Sequence, residues 1–309
     1  MTETVAVVVV TYNRADLLGR TLDGLAAQTH APDAVIVVDN ASTDHTRDVL
    51  DRHGSSAGLS LQRLHLGTNT GGSGGFRAGV EAAYGQGFDR IWLMDDDVVP
   101  APDCLAVLMA QDEACLLCVR EDVRGHLVEK AATDFDLSRP WSIRPKRASV
   151  ETTYGDRSAM PERVQIDVVA FEGFLVRREV VEAVGLPDES FFIFYDDVDF
   201  ALRARRAGYR IWAVRDAVLV RQLDFDQQHA LDTWKGYYMY RNLFAVHFRH
   251  GTNPLVRAKP YAIAAAVAVL SPVRGGRAEA GNVLRAVRDA RAMRKVPGRS
   301  IPGSGPPAR

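Results

Sequence analysis

Cysteine is scarce in this 309-residue chain, which has three. So small and odd a set cannot build a disulfide framework, which excludes the stapled secreted class and makes the reducing cytoplasm the expected setting. A basic leader is also missing, since the chain opens MTETVAVVVV without the positive segment of a signal peptide. The apolar run Tyr261 to Leu270 in the C-terminal part is half the roughly 20 residues that span a bilayer. Net charge is nearly absent, at −1, yet that figure hides an asymmetry. Residues 251 to 309 hold eleven Lys and Arg against two acids, Glu279 and Asp289, so a body of net charge −10 carries a tail of +9. Tails of this kind meet polyanions or anionic membrane surfaces. Nucleic acid is the disfavoured partner, because the tail has neither a recognised binding motif nor interleaved stacking aromatics.

What the chain does have is ordinary globular composition, with 47% hydrophobic and 25% charged side chains. Val5 to Val10 is a β-branched run without alternation, the pattern of a strand buried on both faces of a parallel sheet. Asp16 is placed to cap a following helix with Leu17, Leu18, Leu22 and Leu25 at helical spacing. Ala34 to Val38 then forms a second buried strand. A helix over 43–52, a strand Leu61 to Leu66, a glycine-rich turn, a helix near 76–86 and a strand Arg90 to Met94 complete a doubly wound α/β half. Residues 121–161 mix charge, proline and Trp141 without a period, so irregular structure or a short hairpin is expected there. Beyond them the pattern predicts a strand over 164–170, helices over 178–184 and 198–207, an aromatic strand Phe191 to Tyr195 and a strand Tyr209 to Val214. The Gly/Pro-rich end 297–309 is expected to be disordered.

Polar clusters follow three of these strands: Thr11 to Arg14, Asp39-Asn40, and Asp95-Asp96-Asp97. In open α/β sheets ligands collect outside the carboxyl ends of strands, so the clusters should converge on one edge. Three adjacent carboxylates repel, and Mg²⁺ or Mn²⁺ shared with a substrate phosphate holds them together, whereas a solvated acidic turn needs no ligand. The stretch Asn69 to Phe76 offers backbone amides at a helix start, suited to a diphosphate or a sugar, but it matches neither phosphate-loop fingerprint. Asp196-Asp197 beside apolar residues suits a general base, because burial and like charge raise one member, while helix capping suits it equally. Cys115 and Cys118 lack a second pair for zinc and are expected in the core. Trp234, Tyr237, Tyr238, Tyr240 and Phe244 have helical spacing, and Trp234 is placed either to pack or to stack on a sugar.

In order, the segments VVVVTYNR, VVDNASTD, NTGGSGGF, WLMDDD, FYDDVDF and WKGYYMYRN resemble the inverting family 2 glycosyltransferases of the GT-A fold, and most of all bacterial galactofuranosyl- and rhamnosyltransferases. The likeness covers roughly residues 4–250. It implies a catalytic domain over 1–250, with a nucleotide-binding half about 1–100 and an acceptor and base half about 160–250, followed by a basic helical extension 251–296. It implies that Thr11, Arg14, Asp39 and Asn40 hold the nucleoside, that Asp96 lies beside the sugar or ribose, and that Asp95 and Asp97 bind Mn²⁺ or Mg²⁺. Asp197 would be the base that deprotonates the acceptor. The third metal ligand of related galactofuranosyltransferases, a histidine, falls here on Arg221, with Gln222, Asp224 and His229 as other occupants of that role. The implied reaction moves galactofuranose from its UDP form, or rhamnose from its dTDP form, to a glycan or polyprenyl-linked acceptor for the cell envelope. In the tail, Val283, Leu284, Val287 and Ala290 share a helical face apart from Arg285, Arg288, Arg291 and Arg294. That pattern suits either peripheral contact with the inner face of the plasma membrane or packing on the catalytic domain. Two other readings compete: a haloacid-dehalogenase-like phosphatase using Asp95 as nucleophile, and a non-catalytic nucleotide-sugar-binding module.

Overall fold

The computed structural model describes residues 3–55, 58–142, 144–223, 233–274 and 277–295. Its centre is β1 (Val5–Thr11), a seven-residue strand with every residue buried. Alternation sends Val5, Val7 and Val9 into one core and Ala6, Val8 and Val10 into the other. Strand β2 (Ala34–Asp39) pairs parallel to one side of β1, and β3 (Leu61–His65) pairs beyond it. The chain then returns to lay β4 (Arg90–Asp95) parallel against the other side of β1, with Val10 opposite Asp95. Strand order reverses there, so a crevice opens outside the ends of β1 and β4.

The mixed sheet has nine strands, extended by β5 (Val98–Pro100), β6 (Cys115–Glu121), β9 (Arg163–Ile166), β10 (Phe174–Arg177) and β11 (Ile211–Arg221). Strands β7 (Ala132–Phe135) and β8 (Lys146–Ser149) form a separate two-stranded hairpin, one of the two readings of the stretch 121–161. Helices α1 (Ala15–Ala26), α2 (Thr46–Gly54) and α4 (Cys104–Met109) contribute to the core on one face of the sheet. On the other lie α3 (Gly71–Gly85), α6 (Arg178–Val184), α7 (Asp196–Arg206) and α8 (Trp234–His250). The short α5 (Val150–Tyr154) follows β8.

Several elements depart from the sequence pattern. Helix α3 begins at Gly71 rather than near 76, because its glycines let it press on β1. A Cβ on Gly75 would lie 2.5 Å from Val10 Cγ1, and one on Gly79 2.2 Å from Val8 Cγ1. Asp16 does not cap α1; Arg14 occupies that position without a side-chain cap, and the Ala15 amide donates to Asp44 Oδ2 at 3.0 Å. Phe191 to Tyr195 is not a strand: positive φ values at Phe192, Phe194 and Tyr195 prevent it. Strand β11 runs on to Arg221 through a register shift between Val214 and Val218. Cys115 and Cys118 are buried and unpaired in disulfides, and Cys118 Sγ lies 3.5 Å from that of Cys104.

At the C-terminal end, α9 (Pro254–Arg274) and α10 (Arg277–Ala292) pack with α8. The face of α10 read as amphipathic is mostly covered: Val283, Ala286 and Ala290 are fully buried, Val287 is partly so, and Leu284 is exposed. The hydroxyls of Tyr237 and Tyr240 donate to Asp289 and Glu279 across the α8–α10 contact, at 2.8 and 2.6 Å. The tail 297–309 lies outside the described residues.

The α3–β1 contact sets a sign. Gly79→Ala gains about 1 kcal/mol of helix propensity but forces an overlap that costs about 1–3 kcal/mol, and at 2.2 Å the overlap wins. Urea denaturation should show Gly79→Ala destabilised. Gly85→Ala, whose Cβ meets nothing within 4 Å, should be neutral or slightly stabilised.

Candidate active site

The ends of β1 and β4 bring the predicted clusters together. The Thr11 hydroxyl donates to Asp96 Oδ2 at 2.7 Å, and Arg14 Nη1 reaches Asp96 Oδ1 at 3.2 Å and Asp97 Oδ2 at 3.3 Å. Asp96 is thereby spent on two partners within the protein. Asp39, at the end of β2, accepts from the Ser42 amide at 2.9 Å and lies 2.9 Å from His65 Nδ1. Asn40 is also occupied: its amide donates to the Gly71 carbonyl at 2.8 Å, and its oxygen accepts from the Thr70 amide at 2.8 Å. Its visible work is to hold the glycine turn.

That turn serves the protein before any ligand. Gly71, at φ +73°, passes so close to the Phe192 carbonyl that a Cβ would sit 2.0 Å from its oxygen. The Gly71 amide donates to Asn69 Oδ1 at 2.8 Å, and the Ser73 amide to the Phe192 carbonyl at 3.2 Å. Two of the first three helical amides are therefore already engaged within the protein. They brace the left-handed residues Phe192, Phe194 and Tyr195, which cost of order 1–3 kcal/mol each and persist only where surroundings enforce them. The other brace comes from α8. The Asn242 amide donates to the carbonyls of Phe191, Ile193 and Phe194 at 2.9, 2.6 and 2.9 Å, and Arg241 donates to those of Ser190 and Phe191. Strained backbone held in this way delivers Asp196 and Asp197 to the first turn of α7. Asp199, two residues on, is structural: it is fully buried among Arg203, Arg249 and His250.

Glu172, which lies outside the sequence motifs, ties β6 to β11 through Arg120 and Arg221. It pairs with Arg120, which also grips Glu129 through two 2.8 Å bonds, and its Oε2 lies 4.0 Å from Arg221 Nη1. Burial works against its charge, but Arg120 and Arg221 hold its carboxyl below the usual range. Its negative charge bears on Asp95, Asp97 and Asp197 alike, so the four carboxyls lie near enough to act on one another. Burial, then Glu172, raises Asp95 well above the ordinary value and raises Asp97 as well. Asp96 is pushed up to about 6 by burial, against the pull of Arg14 and Thr11. Burial and the neighbouring Asp196 push Asp197 up to about 8, and burial takes Asp196 to about 6.

A hard divalent cation fits this chemistry. The charge of Asp97 bears on the buried Asp95, and Asp97 Oδ1 is buried with no hydrogen-bond partner among the described residues. No cluster of three His, Cys, Asp or Glu side chains forms a ready-made metal site among the described residues, so diphosphate and water would complete the shell. Gln222 is not placed for that role: its side-chain amide turns into α1, donating to the Leu17 carbonyl at 3.2 Å and to Thr21 Oγ1 at 3.3 Å. Arg221 stands beside Glu172 and acts electrostatically on Asp97. Asp224 and His229 lie outside the described residues.

Residues 3–239 match the model of the glycosyltransferase like family 2. Galactofuranosyltransferase GlfT1 of Mycobacterium tuberculosis H37Rv is 33% identical over 273 residues, 83% of this chain and 86% of that protein. GlfT1 of Mycolicibacterium smegmatis is 30% identical over 255 residues, 78% and 82% of the two chains. Among solved structures, the mannosyltransferase PcManGT from Pyrobaculum calidifontis in complex with GDP-Man and Mn²⁺ superposes with a TM-score of 0.57 at 21% identity, covering 95% of this chain and 85% of that one. S. aureus TarS 1–349 in complex with UDP gives 0.55 at 17% identity, covering 94% and 88%. Both share the GT-A fold.

The raised Asp197 carboxyl has a thermodynamic signature. The native state keeps a proton that the unfolded chain has shed, so this group lowers stability as pH rises from about 4 to about 8 and contributes nothing below that window. Asp197→Asn keeps an oxygen for the Val198 amide and removes the titration. Paired thermal melts of the ligand-free proteins should show the variant stabilised relative to wild type at pH 8 and equal to it at pH 4. Equal differences at the two pH values would contradict the shift.

Proposed function

The chain belongs to the glycosyltransferase like family 2 and is a glycosyltransferase, and from that premise we propose that it transfers galactofuranose from UDP-galactofuranose, with inversion, to a glycan or polyprenyl-linked acceptor of the cell envelope. The curated relatives favour galactofuranose over rhamnose, and family membership sets the phosphatase reading aside. The observation that carries the proposal is the acidic cluster in which Glu172 bears on Asp95, Asp97 and Asp197 alike, close to where Arg14 meets Asp96 and Asp97.

The nucleoside lies over the ends of β1 and β2, against Thr11, Arg14 and Asp39, with Asn40 shaping the turn beneath it and Asp96 beside the sugar or ribose. Asp95 and Asp97 would hold Mn²⁺ or Mg²⁺, which would supply positive charge for the departing diphosphate. Asp197 accepts the proton of the acceptor hydroxyl, whose oxygen attacks the anomeric carbon from the face opposite the leaving group. The bond to the diphosphate oxygen breaks as the new glycosidic bond forms, and the diphosphate leaves with the bonding pair. A non-catalytic binding module would have no use for a base so raised and so firmly positioned. The reaction belongs on the cytoplasmic side of the plasma membrane, where nucleotide sugars are made.

In a transfer assay with the purified chain, Mn²⁺ and a polyprenyl-linked glycan, UDP-galactofuranose should be used in preference to dTDP-rhamnose. Asp197→Asn should lower kcat by roughly 10²–10⁴-fold while UDP still binds. Full activity in Asp197→Asn would remove Asp197 from the role of base. Exclusive use of dTDP-rhamnose would replace the donor.

A further inference from the structure

The pattern of α10 suited membrane contact or packing equally, and packing on α8 covers most of that face, with Leu284 left exposed. The uncovered apolar surface belongs to α9. That helix contains no Asp or Glu, and its stretch Pro254–Ser271 is eighteen residues long with a mean hydropathy of 1.2, well beyond the ten-residue run evident by eye. Its two sides differ sharply. Val256, Ala264 and Ser271 are buried, whereas Leu255, Tyr261, Val269 and Leu270 are 67, 42, 76 and 49% exposed. Ala262 and Ala265 lie open between them, and at 100° per residue the set forms one face about 24 Å long, with Lys259 inside it and its ammonium turned to the Ser142 carbonyl.

Charge lies beside this face. Arg291, Arg294 and Lys295, at the end of α10, are exposed, and Arg294 Nη2 donates to the Tyr261 hydroxyl at 3.0 Å, on the edge of the apolar face. Arg294 also lies over the Phe248 ring, which packs against Tyr261, so the cationic end of α10 is locked next to α9.

We propose that this surface docks the protein on an anionic lipid leaflet, with the open face of α9 lying in the headgroup and acyl boundary and Arg291, Arg294 and Lys295 meeting lipid phosphates. A helix with one half packed on protein lies flat rather than spanning. A tyrosine whose ring is apolar and whose hydroxyl is held by an arginine suits the boundary between chain and headgroup. A second copy of the chain is a poorer occupant, because a two-fold pairing through this face would bring two cationic clusters together. The inference does not depend on the donor or on the base, since lipid binding is measured with neither present.

The test is co-sedimentation of the full chain with vesicles of phosphatidylcholine alone or mixed with phosphatidylglycerol, for wild type and for the double variant Val269→Asp/Leu270→Asp. Both substituted positions are exposed, so the melting temperature of the double variant should match wild type. Wild type should pellet with phosphatidylglycerol vesicles, not with phosphatidylcholine alone, and high salt should release it. The double variant should bind roughly tenfold or more weakly. Failure of wild type to pellet with phosphatidylglycerol, or equal pelleting of the double variant, would overturn the proposal. So would light scattering showing a wild-type dimer that the double variant converts to monomer, since the face would then belong to a second copy.

Discussion

Carboxylate crowding at the end of β4 is the constraint on which this site depends. Asp95, Asp96, Asp97, Glu172 and Asp197 act on one another, largely out of solvent, with Arg14, Arg120 and Arg221 beside them. Glu172 is relieved by Arg120 and Arg221, whereas Asp96 stays raised to about 6 even with Arg14 beside it. Asp95, Asp97 and Asp197 are raised as well, because desolvation and like charge both penalise ionisation there. A fold does not hold such a set for stability. Its natural relief is positive charge brought from outside, on the same edge where the strand order of the sheet opens a crevice.

Holding the acids in place depends on backbone rather than on the acids themselves. Phe192, Phe194 and Tyr195 adopt left-handed conformations that neither ring nor hydroxyl favours. They survive because Gly71 leaves room for the Phe192 carbonyl, the Ser73 amide caps that carbonyl, and Asn242 ties three more carbonyls to α8. Three segments far apart in the chain, NTGGSGGF, FYDDVDF and WKGYYMYRN, thus form one mechanical unit. Behind it the buried Asp199 binds Arg203, Arg249 and His250, so the third acid of DDVD anchors the helix whose first turn bears the second.

The first hundred residues were readable from sequence because β1 and β2 are buried runs rich in β-branched residues and β4 holds an unbroken apolar run, each closed by polar residues. Convergence of Thr11, Arg14 and Asp95 to Asp97 followed from the strand order alone. Elsewhere tertiary forces overrode local pattern. The aromatic run Phe191 to Tyr195 has the composition of a strand, but the glycine turn and Asn242 force it into another shape. The glycines of α3 read as a loop because propensity disfavours them in helices, whereas their real reason is contact with Val8 and Val10. Glu172 went unread although a lone acid between Phe171 and Phe174 is a signal, since such a charge is retained inside an apolar run only where partners or function hold it. Its partners Arg120 and Arg221 come from β6 and β11, and no local pattern announces that meeting. The apolar face of α10 was visible, but its occupant, α8, was not.

The central claim is that Asp95 and Asp97 await a cation that arrives with a nucleoside diphosphate. Calorimetric titration of UDP into the purified chain, with Mn²⁺ and then with chelator, tests it directly. The account predicts that UDP binds much more tightly with Mn²⁺ and that Asp97→Asn abolishes this dependence. Equal affinity in chelator and in Mn²⁺ would contradict it, and would assign neutralisation of the diphosphate to Arg221 and Arg14.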